Sequence, residues 1–162
     1  MTPLKAYLAR ECAIGSVINV VIGSAFFLVI FSGQTAPQVW GGRGLIVDCL
    51  PQGFMIGLMS IIPAMLITRK RALNGLSLPV SPSPRPLLPR GIAARGILVA
   101  LVTMVSLVGV AAGLALATGV TTVPFWPAFV LKAIPGLLVP WIVIPSAIKA
   151  ALLVAPSPAS PA

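Results

Sequence analysis

Residues 69–95, RKRALNGLSLPVSPSPRPLLPRGIAAR, decide how the rest of this chain is arranged. They open on Arg69-Lys70-Arg71, pass through Pro79, Pro82, Pro84, Pro86 and Pro89, and close on Arg90 and Arg95. Backbone this rich in proline supports neither a helix nor a central strand, so the run reads as a stiff, solvated spacer with a turn at Asn74-Gly75. On each side lie two long apolar segments joined by a tryptophan-bearing connection. The stretch is therefore a basic hinge between two similar hairpins, and its charge sets the direction in which both point.

Composition supports that frame. Of 162 residues, 58% are hydrophobic and 8% charged, and mean hydropathy is +1.08. Too little polar surface remains to coat a soluble globule, so the expected class is an all-α integral membrane protein. A net charge of +9 would suggest nucleic acid in a soluble protein. Here the cations fall where a membrane topology puts them, and no basic helix face with interleaved aromatics is left over. The lipid bilayer, not nucleic acid, is the expected partner.

The inventory for chemistry is short. Histidine is absent, and Glu11 and Asp48 are the whole acidic complement. That leaves too few groups for a metal site or a general acid–base pair, so no catalytic, metal or cofactor-binding residue is expected. Haem lacks its usual histidine ligand as well. Cys12 and Cys49 lie at opposite ends of the first hairpin, roughly 30 Å apart, too far to bridge, and read as small apolar fillers.

The first hairpin occupies residues 1–71, with spans at about 13–32 and 49–68. The first apolar run is too long for a signal-peptide core and lacks a cleavage site after it, so it reads as a retained span. Its polar content, Ser16, Asn19 and Gly23, is spaced three and four apart and shares one helical face with Cys12. Such a face either admits a neighbouring helix, with Asn19 bonding across, or lines a solute path. In the second span Gly53, Gly57 and Ser60 make a similar small-residue face, and Pro63 bends the last turns. Trp40, with the glycines around it, marks an interfacial connection between the two spans.

Residues 72–94 form the basic linker and 95–154 the second hairpin, with spans at about 97–118 and 133–148. Gly109 and Gly113 give the third span its own small-residue face. The fourth is short, lies between Lys132 and Lys149, and carries Pro135, Pro140 and Pro145, so a kinked or partly broken helix is expected, with both lysines reaching outward. The tail, 155–162, is Pro, Ser and Ala and is expected to fray.

The two halves repeat. Arg10, Gly33, Trp40, Asp48, Pro51, Pro63 and Arg69 recur in order as Arg95, Gly119, Trp126, Lys132, Pro135, Pro145 and Lys149. Two-span units in tandem keep one orientation, so duplication would give a parallel repeat about an axis along the membrane normal. Asp48 and Lys132 then occupy equivalent places at one interface with opposite charge, a candidate interfacial ion pair.

Nine cations (Lys5, Arg10, Arg69, Lys70, Arg71, Arg85, Arg90, Arg95, Lys149) fall on one side of a four-span topology, against Arg43 and Lys132 on the other. Basic loops stay inside, so both termini and the linker are expected in the cytoplasm, in a cytoplasmic (inner) membrane. The function these features suggest is non-enzymatic: an accessory or scaffold subunit that binds other transmembrane helices, its own or those of a larger complex. The alternative is a small dimeric carrier for a neutral or apolar solute. In length and span count the chain resembles the small multidrug-resistance transporters. That family depends on a membrane-embedded glutamate in its first span, whereas Glu11 adjoins Arg10 at the edge.

Overall fold

A computed structural model describes residues 3–76, 78–80, 89 and 91–154. It contains four long helices: α1 (Pro3–Phe31), α2 (Leu45–Leu73), α3 (Ile92–Thr118) and α4 (Phe125–Val154). Each has 27 to 30 residues and is long and apolar enough to cross a membrane. At 1.5 Å per residue they are about 40–45 Å long, so each overshoots a hydrocarbon layer of about 30 Å into the headgroups. The protein is an all-α, multi-pass membrane protein. The chain runs up, down, up, down, which puts residues 3 and 154 on one face, the terminal face, and the Trp40 and Trp126 connections on the other, the loop face.

The helices extend past the spans that hydropathy marks out. α1 begins at Pro3, so Lys5, Arg10 and Glu11 ride on the helix instead of preceding it. Proline is tolerated there because a first-turn N–H has no helical acceptor. α4 is 30 residues long and runs continuously through Pro135, Pro140 and Pro145, so it is neither short nor broken at the prolines. Two side chains from other helices bond beside those prolines: Ser16 Oγ donates to the Leu137 carbonyl at 2.7 Å and Gln52 Nε2 to the Lys132 carbonyl at 2.7 Å. Both carbonyls lie three residues before a proline, in the turn its ring loosens, so donors from neighbouring helices reinforce α4 where its own ladder is weakest. Lys132, expected to reach outward, is turned inward and buried. α2 ends as Asn74-Gly75 suggests, with Gly75 at φ +96° and its N–H on the Ala72 carbonyl. Residues 77, 81–88 and 90 of the linker and the tail 155–162 lie outside the described residues.

The two hairpins interlock instead of closing on themselves. α2 packs against α3 and α4, and α1 against α4, while the helices within each hairpin barely meet and α1 does not touch α3. A twofold axis along the membrane normal exchanges α1 with α3 and α2 with α4, and this pattern obeys it: α2·α3 maps onto α4·α1, and α2·α4 maps onto itself. The arrangement thus fits a parallel repeat.

Close approach depends on glycine at the α2–α3 seam. A Cβ at Gly53 would fall 2.7 Å from Met104 Cα, and one at Gly57 2.6 Å from Ala100 Cα, so any larger residue must push α3 away. Around these contacts the interior is layered. Towards the terminal face Cys12, Ile61, Met65, Val99, Ile144 and Ile148 form an apolar core drawn from all four helices. Towards the loop face Phe27, Phe31 and Ala128 pack with Phe125 and Phe129, the Phe27 and Phe31 rings 4.8 Å apart. A polar layer runs beside the second cluster, from the loop face down to Asn19 and Ser60.

Candidate functional site

The polar layer begins at the loop face, where the two connections clasp. Gln38 and Thr122 form an antiparallel bridge: Val39 N–H donates to the Thr121 carbonyl at 2.8 Å and Val123 N–H to the Pro37 carbonyl at 3.1 Å. These bonds exchange under the same twofold, which passes between Gln38 and Thr122. The sequence offset at the clasp matches that of the charged pair below it, since 122 − 38 and 132 − 48 both give 84. The first connection folds back tightly on α2. A Cβ at Gly44 would sit 2.6 Å from the Val39 carbonyl oxygen and 2.7 Å from that of Trp40, which only glycine avoids.

Directly beneath, Lys132 Nζ meets Asp48 Oδ2 at 2.7 Å. The ammonium has two further acceptors, the Leu45 carbonyl at 3.2 Å and Cys49 Sγ at 3.4 Å. All three ammonium hydrogens therefore have partners, which a buried ammonium requires. Lys132 is 8% exposed, and its main-chain carbonyl takes the bond from Gln52, so the residue is held at both ends. Deeper in the bilayer Asn19 Nδ2 donates to Ser60 Oγ at 2.9 Å, tying α1 to α2 where the helices otherwise diverge.

That divergence opens a cleft between α1 and α2, open along one side. Ile22, Gly23, Phe26 and Ile30 line one wall, Pro51, Gln52, Met55 and Met59 the other. Asn19 closes one end and the Asp48–Lys132 pair the other. Phe26, Ile30, Met55 and Met59 are each more than a third exposed, so the mouth faces lipid. The Oε1 of Gln52 is buried and accepts no hydrogen bond among the described residues.

The residues singled out by small size or polarity separate into two groups. Ser16, Asn19, Gly53, Gly57 and Ser60 are buried at helix contacts, and Gly23 lies 3.8 Å, measured from a Cβ built on it, from Gln52 Nε2. Gly109 and Gly113 meet nothing: a Cβ on either would have no atom within 4 Å. α3 packs through its other half, by Gly96, Ala100 and Thr103, and leaves the Gly109–Gly113 face outward. Cys12 and Cys49 are both free and buried.

Gln52 has a signal in the sequence that spacing alone undervalues: it lies four residues after Asp48, on the same face of α2. A second cluster, at the terminal face, has none. Arg71 forms an ion pair with Glu11 and donates to Tyr7 Oη at 3.0 Å, and Tyr7 Oη in turn lies 3.1 Å from Thr68 Oγ1. Glu11 therefore pairs across to α2 and not with its neighbour Arg10. Among the described residues no three of His, Cys, Asp and Glu lie close enough to hold a metal ion.

Fold and site together define a four-helix, multi-pass membrane protein with a clasped loop face and a lipid-facing cleft. Compared with known protein families, with characterised proteins and with solved structures, the chain matches none.

Proposed function

We propose that the protein is a non-enzymatic accessory or scaffold subunit of a larger complex in the cytoplasmic membrane, working through helix–helix association, with both termini in the cytoplasm. The observation that carries this is the outward Gly109–Gly113 face. The same device, two glycines four apart, holds α2 against α3 at Gly53 and Gly57, yet on α3 it is turned to the bilayer. Lipid tails gain nothing from a shallow glycine groove, whereas a partner helix gains close van der Waals contact along it.

Gentle extraction followed by native mass spectrometry tests the proposal. The unmodified protein is expected to carry a stoichiometric transmembrane partner. The double variant Gly109→Leu/Gly113→Leu is expected to lose that partner while keeping its own thermal midpoint, since the new side chains meet nothing within the chain. A bare monomer, or a variant that keeps its partner, would contradict the proposal.

A carrier for a neutral or apolar solute is a second reading, supported by the cleft. Its walls are apolar, its mouth faces lipid, and the free acceptor on Gln52 suits a ligand that donates one hydrogen bond. It predicts an isolated dimer with a bound small molecule in the same spectra.

A further inference from the structure

Among the described residues, Arg95 is a buried cation with no counter-ion. It is 7% exposed, its Nη1 makes one long bond, 3.3 Å, to the Ser146 carbonyl, and its Nε has no partner among the described residues. Nor has the chain a carboxylate side chain left to supply. Glu11 is committed to Arg71, and Asp48 to Lys132 at the opposite face. A guanidinium presents five donors and does not lose its proton in a protein, so desolvating it with one weak bond is costly unless an anion arrives from outside.

Its place in the helix says where that anion comes from. Arg95 is the fourth residue of α3, about 6 Å along a helix that overshoots the hydrocarbon, at the membrane–water boundary of the terminal face. Helical side chains lean towards the N-terminus, which here is the direction of the headgroups. Among the described residues the helix start beside it is itself uncapped: Gly91 offers no capping side chain and the first turn holds no acidic residue. The N–H groups of Ile92, Ala93 and Ala94 lack helical acceptors, and the positive end of the helix dipole lies there. A second cation, exposed Lys149, is three residues beyond Ser146 on the same face of α4.

We propose that Arg95 and the uncapped N-terminus of α3 bind a phosphate group, that of an anionic phospholipid headgroup at the terminal face. A planar guanidinium matches two phosphate oxygens, and free helix N–H groups match the rest. This site is separate from the outward glycines and from the cleft.

The test is native mass spectrometry of the purified full chain with phosphatidylglycerol, phosphatidylcholine or inorganic phosphate added, alongside the thermal midpoint with each. The unmodified protein is expected to retain phosphatidylglycerol about tenfold better than phosphatidylcholine, the equivalent of one charge-assisted pair. Arg95→Gln should abolish that preference, Arg95→Lys should keep part of it, and Lys70→Gln, at an exposed cation on the same face, should leave it intact. If Arg95→Gln is too unstable to purify, the midpoint of the unmodified chain decides: a rise with phosphatidylglycerol alone supports the lipid headgroup, and an equal rise with inorganic phosphate assigns the same site to free phosphate. No rise with either, or a preference that survives in Arg95→Gln, overturns the proposal.

Discussion

At the scale of single residues, the Asp48–Lys132 pair does most to hold the two halves in register. Both side chains are largely withdrawn from solvent, so deleting one strands the other. Asp48→Asn or Lys132→Gln alone is expected to cost about 3–5 kcal/mol, and the double variant to recover much of that loss, because it leaves no uncompensated charge. Thermal unfolding in detergent, followed by tryptophan fluorescence, measures the cycle; a loss in the double variant equal to the sum of the two single losses would mean the charges are independent. This pair was legible in the sequence because the repeat placed the two residues at matching positions. The Glu11–Arg71–Tyr7 cluster and the Gln52 bond were not. Their partners depend on how each helix is rotated, and a helix in lipid is apolar on every side, so periodicity does not reveal the rotation.

At the scale of the element, glycine separates inner from outer surfaces. Gly57→Leu is expected to wedge α2 from α3, lowering stability by about 1–3 kcal/mol or more, whereas Gly109→Leu should leave the midpoint unchanged. Both are read in the same melting experiment, and a loss at Gly109 would mean that α3 is rotated from its position here. Sequence spacing found both glycine pairs as small-residue faces, but it does not say which meets a partner within the chain. The number and order of the helices were legible, while their ends were not. Hydropathy stops at the first charge, yet a helix continues through the headgroups with its backbone bonds intact and its charges in a wet layer, as α1 does from Pro3 and α4 does to Val154.

At the scale of the whole molecule, the interlocked hairpins explain how a chain with so few polar residues keeps one arrangement. Each hairpin is splayed, so neither forms a closed helix pair, and each fills the other's opening. The loop clasp and the ion pair lie at the loop face on one twofold, while the Glu11–Arg71 pair ties the far ends of α1 and α2. Sequence landmarks supplied the repeat, but not the interlock, which follows from close approach at Gly53 and Gly57. The claim on which the rest depends is four crossings with the basic ends gathered on the inner side. Cysteine labelling in intact cells tests it most directly, using single cysteines at Thr121, exposed in the loop-face connection, and at Ser81 in the linker, with Cys12 and Cys49 replaced by alanine. An impermeant maleimide is expected to label Thr121→Cys from outside and Ser81→Cys only after permeabilisation; labelling of both from the same side would contradict it.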